Sequence, residues 1–243
     1  MVIDRDWIRE RASAPDAVAH DDDAVGRFDT LMRQWATGFA DRRDDVGSRG
    51  FRHGRRGLGP DETTAFLRGL DAGQIVVDQA GYSVPTCVMP KAKQSPYALC
   101  CKDADGVTIN LEYVIQLGVM AELHRDLGWP REHLRIELGE FDGSIVDRNG
   151  DPLAVMEAKC RRTGPDSLTS LLGKWLEFAE ADSPPTRGRN RNAEHKYLDL
   201  LRLTADAEAI TVLLVADGAR WWLEAQRTQE HRLRFEVADP LRP

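Results

Sequence analysis

No apolar run in the sequence approaches the ~20 residues needed to cross a bilayer. The opening Met1-Val2-Ile3-Asp4-Arg5-Asp6 lacks the basic-then-apolar order of a secretory signal. Both absences argue against a membrane partner. The four cysteines, Cys87, Cys100, Cys101 and Cys160, form no CxxC pair and no Cys/His cluster with zinc-ligand spacing. They read as reduced thiols, which predicts a cytoplasmic protein. There is no P-loop, no GxGxxG after a strand and no GxSxG elbow, which counts against nucleotide, dinucleotide and serine-hydrolase chemistry. An excess of positive charge is also missing. The formal net charge is −7, which argues against a nucleic-acid partner at the level of the whole chain.

What is present suits a folded protein. The 243 residues are 42% hydrophobic and 30% charged, enough for one large domain or a domain with a small extension. Charge is unevenly placed. From Arg42 to Arg56 the arginines far outnumber Asp44 and Asp45, and a second basic stretch holds Arg187, Arg189, Arg191 and Lys196. Either can form a basic patch on an acidic protein, and the second is the candidate nucleic-acid contact. The alternative for both is a solvated loop. His124 and His195 read as surface residues.

Periodicity gives the elements. Val25, Phe28, Met32, Trp35 and Phe39 make one helix face, and Pro60-Asp61-Glu62 opens a short helix that Gly73 ends. Ile75–Val77 and 97–99 are short strand candidates in a proline-broken region. Asn110 caps a helix from Leu111 to about Leu127, with Glu112 in its first turn. Two strands follow, roughly 134–147 and 153–160, joined through Arg148-Asn149-Gly150-Asp151; Asn-Gly is a strong hairpin signal. Helices are predicted over about 166–180 and 193–203, then a buried strand at Ala209–Ala216, a turn at Asp217-Gly218, and strands near 220–225 and 233–237.

The hairpin carries the chemistry. A two-residue turn at Asn149-Gly150 puts Asp142 opposite Glu157 and Glu140 opposite Lys159. Residues two apart on a strand share a face, so all four project together. Opposed Cβ atoms lie about 4.5–5.5 Å apart. Two carboxylates that close repel unless one is protonated or a cation lies between them, and a hard divalent ion with oxygen ligands resolves the conflict. Lys159 adds an ammonium that can orient a water and offset negative charge. Ala158 turns its methyl to the opposite, core-facing side, and its main-chain carbonyl is a further candidate ligand.

These residues, Phe141-Asp142-Gly143 and Glu157-Ala158-Lys159, resemble the motif of the PD-(D/E)XK nucleases, the restriction-endonuclease-like superfamily. The resemblance covers about 111–216, with Phe141 where the nominal motif has proline. It implies an α/β fold with a central mixed β-sheet flanked by helices, in a core spanning 106–243. It implies hydrolysis of phosphodiesters, DNA first and RNA second, with Mg²⁺ as cofactor and Mn²⁺ as substitute. The catalytic set it implies is Asp142, Glu157 and Lys159, with Glu112 added from the preceding helix. Metal ligands would be Asp142, Glu157, Ala158 and Glu112. Some members place Lys, Gln or Tyr near the site from a helix after the core, where Lys196-Tyr197 stands here. Residues 1–105 are left as a helical and irregular extension, for nucleic-acid binding or for a homodimer interface. The competing expectation is a nuclease-fold module that binds DNA or a protein and no longer cuts.

Overall fold

The computed structural model describes residues 1–13, 22–43, 58–90, 96–103, 106–188, 191–205, 207–216, 218–229 and 231–243. In chain order the elements are helices α1 (Arg5–Ser13), α2 (Asp22–Asp41) and α3 (Pro60–Asp71), then strands β1 (Ile75–Val77), β2 (Tyr82–Pro85), β3 (Tyr97–Ala98), β4 (Cys100–Asp103) and β5 (Gly106–Ile109). Helix α4 (Leu111–Arg125) precedes β6 (Leu134–Leu138), β7 (Phe141–Val146) and β8 (Pro152–Ala158). Then come α5 (Leu168–Glu180), α6 (Asn192–Leu203), β9 (Ala209–Ala216), β10 (Ala219–Gln229) and β11 (Arg232–Val237).

The chain divides into two units, Met1–Asp16 with Glu132–Pro243, and Ala17–Arg131. The expected break between 105 and 106 therefore falls inside the second unit. Helix α4 stays with the elements before it because it lies tightly on α3: a Cβ on Gly118 would come within 3.0 Å of the Phe66 nitrogen. Asn110 caps α4 as expected, its side chain accepting from the Tyr113 N–H at 3.3 Å. Residues Val114 to Ala121 are all buried, Gln116 among them, so this helix is buried around its circumference rather than along one stripe. Phe66 gathers Phe28 and Trp35 of α2 in edge-to-face contacts at 5.8 and 6.1 Å. Two small antiparallel sheets, β1-β2-β3 and β4-β5, complete this unit.

The first unit is a six-stranded sheet of order β11-β10-β9-β8-β7-β6 with flanking helices. Its neighbours are antiparallel except β8 and β9, which run parallel from Ala154↔Thr211 to Ala158↔Val215. Parallel neighbours need a long crossover, and α5 with α6 supplies it. Strand β8 is thus central, as its apolar run predicts. One core joins Leu168, Leu172, Trp175, Tyr197 and Leu200 of the helices to Val155, Val212, Leu214 and Leu223 of the sheet. Trp175 is wholly buried, stacks on Phe235 at 5.7 Å and donates its indole N–H to the Ala193 carbonyl at 3.1 Å.

Three local features differ from expectation. The stretch 134–147 is not one strand. It turns back at Gly139-Glu140, with Leu138 opposite Phe141 and Gly139 at φ +60°. The β7–β8 connection is not a two-residue turn. Asp147 N–H bonds the Asp151 carbonyl at 2.8 Å, and the Asp147 carboxylate accepts from the N–H groups of Asn149 (2.8 Å) and Asp151 (2.9 Å). The loop therefore holds one extra residue, and Leu153 bulges out to cancel it: Val146 pairs with Pro152 but Ile145 with Ala154. Finally, α1 forms where periodicity gave no element. Trp7 packs edge-on to Trp221 at 5.3 Å, and the Ile3 N–H bonds Phe235 O at 2.8 Å along the β11 edge.

Candidate metal centre

Beyond the bulge the register is Ser144↔Val155 and Gly143↔Met156. Continuing it by one step sets Asp142 opposite Glu157, the pairing expected from the sequence. Here a side chain replaces the ladder: the Ala158 N–H donates to Asp142 Oδ2 at 2.8 Å. On the other flank β8 is fixed by β9, with the Lys159 N–H on Val215 O at 2.8 Å. Glu157 therefore projects from a strand held on both sides. Its neighbour Ala158 is also wholly buried, on the opposite face by strand alternation.

Glu157 is 0% exposed. A bare carboxylate in such a place is costly, and two ammonium groups offset it. Lys159 Nζ lies 2.7 Å from Oε1 and Lys196 Nζ 2.6 Å from Oε2. Burial pushes the Glu157 carboxyl up, and the like charge of Asp142 adds to this. Lys196 and Lys159 oppose them, and the balance is a pKa of about 7. Asp142, Glu157, Lys159 and Lys196 sum to zero charge when all are ionised, which makes burial of the group tolerable.

Lys196 comes from α6 and is itself 3% exposed. Its ammonium also donates to the Glu140 main-chain carbonyl and lies 5.3 Å from the centre of the Phe141 ring. Asp199, one helical turn on, holds the β6–β7 turn. Its Oδ2 accepts from the Glu140 N–H at 3.2 Å and its Oδ1 from Arg187 Nη2 at 3.0 Å. A Cβ on Gly139 would come within 2.7 Å of Asp199 Oδ2, so the turn requires glycine for space as well as for φ.

The predicted site residues separate accordingly. Asp142, Glu157 and Lys159 come together. Lys196 had two expected places, a basic surface patch and the neighbourhood of the site; it is buried on Glu157, because α6 crosses the sheet face from which Glu157 projects. Tyr197 beside it serves the fold, accepting the Leu233 N–H at 3.1 Å. Glu140 stands in the turn at 139–140 rather than on a strand opposite Lys159. Its carboxylate lies 3.9 Å from Arg187 and 3.8 Å from His195. Arg187 is thus already bound to two acids, whereas Arg191 is exposed and bonds Thr186 Oγ1 at 2.9 Å. Arg189 and most of the Arg42–Arg56 stretch lie outside the described residues. Of the latter, Arg42 pairs with Asp78 at 2.9 Å. Glu112 sits half-buried in the first turn of α4, in the second unit. Asp199 was missed, although its i,i+3 spacing from Lys196 marks one helix face.

Among the described residues no group of three or more His, Cys, Asp or Glu side chains converges to hold a metal. The donor set is two carboxylates with the Ala158 carbonyl beside them. Hard oxygen donors, few in number and next to a buried carboxylate that burial disfavours, fit a Mg²⁺-like ion that keeps several waters. Comparison with family models, curated proteins and solved structures finds no match, so the function is argued from these residues.

Proposed function

We propose that the chain is a Mg²⁺-dependent nuclease of the PD-(D/E)XK type, with a restriction-endonuclease-like core in its sheet unit and DNA as substrate. The observation that carries the reading is the convergence of Asp142, Glu157 and Lys159 on one end of the β7–β8 hairpin, with Glu157 in a dry environment that only cations make tolerable. Asp142, Glu157 and the Ala158 carbonyl would hold the ion. When bound, it polarises a phosphate and lowers the pKa of a coordinated water. Lys159, whose side chain is 12% exposed, stands at the rim. There its ammonium orients the attacking water and offsets charge on the phosphorane-like transition state. Element order supports the fold reading: hairpin, two helices, then a strand parallel to the hairpin's second strand.

A second reading, a nuclease-fold module that binds but does not cut, is favoured by one observation. Both Glu157 oxygens have an ammonium within 2.7 Å. The two readings separate in one assay: linear, circular and single-stranded DNA, and RNA, each with EDTA, Mg²⁺ or Mn²⁺. Metal-dependent cleavage lost in Lys159→Ala and Glu157→Ala is the expected result. No cleavage of any substrate, or undiminished cleavage by Lys159→Ala, overturns the enzyme reading.

A further inference from the structure

We propose that Lys196 occupies a cation position on Glu157 and must withdraw from it for a divalent ion to enter, so that this lysine sets the metal affinity of the site. The inference rests on the metal-centre reading above and adds a competitor built into the same chain.

The geometry distinguishes the two lysines on Glu157. Lys159 belongs to the strand end and reaches Oε1 from the rim. Lys196 reaches Oε2 from α6 with only 4% of its side chain exposed, against 12% for Lys159. Its ammonium bridges two oxygens, one a carboxylate and one the Glu140 carbonyl, and lies over the Phe141 ring. A buried cation between a carboxylate and a main-chain carbonyl, against an aromatic face, holds the kind of place a metal ion takes. Two cations cannot share Oε2 at 2.6 Å without strong repulsion. Metal entry and Lys196 occupancy are therefore alternatives.

Withdrawal of Lys196 would not dismantle the site. Asp199 holds the Glu140 N–H, and the β8–β9 ladder holds Glu157. The four-carbon Lys196 stem has the rotatable bonds by which its ammonium would leave Oε2. The cost is the broken buried ion pair, and this cost is subtracted from the intrinsic affinity of the carboxylates for the ion.

Two measurements on the full chain without nucleic acid test this. The first is Mn²⁺ titration by calorimetry at pH 8 for the unmodified protein, Lys196→Met, Lys196→Arg and Asp142→Asn. Lys196→Met is expected to bind on the order of tenfold tighter or more, Lys196→Arg no tighter, and Asp142→Asn weakly or not at all. The second needs no substitution at the site. Amine acetylation followed by mass spectrometry is expected to spare Lys196 in EDTA and to modify it when Mg²⁺ is added, with exposed Lys174 as the unchanged reference. Bound metal with Lys196 still protected, and equal affinity in Lys196→Met, overturns the competition while leaving the metal centre intact. Absence of Mn²⁺ binding in every protein overturns both.

Discussion

The pKa of Glu157 gives a quantitative test of the site that needs no substrate. Its ordinary value is 4.5 and its value in the fold about 7. Between these the folded chain keeps a proton that the unfolded chain has released. The stability this group contributes is therefore full below 4.5 and is lost as pH rises through 7. Integrating the difference gives a loss of about 2–3 kcal/mol between pH 5 and pH 8. Other groups titrate in this range, so the useful quantity is the difference between the unmodified chain and Glu157→Gln. It is measured by urea unfolding with tryptophan fluorescence in EDTA at pH 5, 6, 7 and 8. The expected difference curve falls by that amount, towards lower relative stability of the unmodified chain at high pH. Saturating Mg²⁺ at pH 8 should recover most of the fall, because an ion that binds the ionised carboxylate stabilises the folded chain, and should change little at pH 5. A flat difference curve would refute the claim that burial and Asp142 dominate the environment of Glu157.

Other perturbations have clear expected outcomes. Asp199→Ala leaves the part-buried Glu140 N–H without its acceptor and removes the Arg187 bond, and should cost about 1 kcal/mol by chemical denaturation; Gly139→Ala should also destabilise, through its φ of +60° and the clash with Asp199. Trp175→Ala empties the centre of the sheet–helix core and should cost about 3–5 kcal/mol. In DNA-binding titrations over a salt series, Arg191→Ala should reduce the slope of log affinity against log salt by about one. Arg187→Ala should reduce it less, because Asp199 and Glu140 already neutralise Arg187.

The sequence made the core of the site legible because strand alternation is rigid. Asp142 reaches the Ala158 N–H beside Glu157, on the strand end where the hairpin arithmetic sets it. Yet the turn that arithmetic assumed does not form. The Asp147 carboxylate organises a longer loop, and Leu153 removes the excess residue, so two departures cancel before the site is reached. Neither is visible in hydrophobic pattern, which carries no signal for a one-residue bulge. The turn at Gly139-Glu140 was hidden for a different reason. It has no Asn-Gly or proline signature; Gly139 supplies the positive φ locally, but the partner that holds the turn, Asp199, is distant in sequence. Lys196 was half legible, since the resemblance set it near the site without naming its partner. Its helix was predicted within a residue of its true bounds, but a helix boundary does not say which strand residue lies beneath a given lysine.

The compensation at Leu153 has an implication for how this protein tolerates change. Five consecutive pairings with β9 fix the phase of the β8 end that carries Glu157, and the bulge isolates that end from the hairpin's tip. A one-residue gain or loss around positions 148–153 can be absorbed by adding or dropping the bulge, with the carboxylate still directed toward the same side. Length variation at this tip should therefore be nearly silent for chemistry. The same insertion placed between 154 and 157 would turn the acid to the opposite face of the sheet, away from its partners, where the Ala158 methyl lies now.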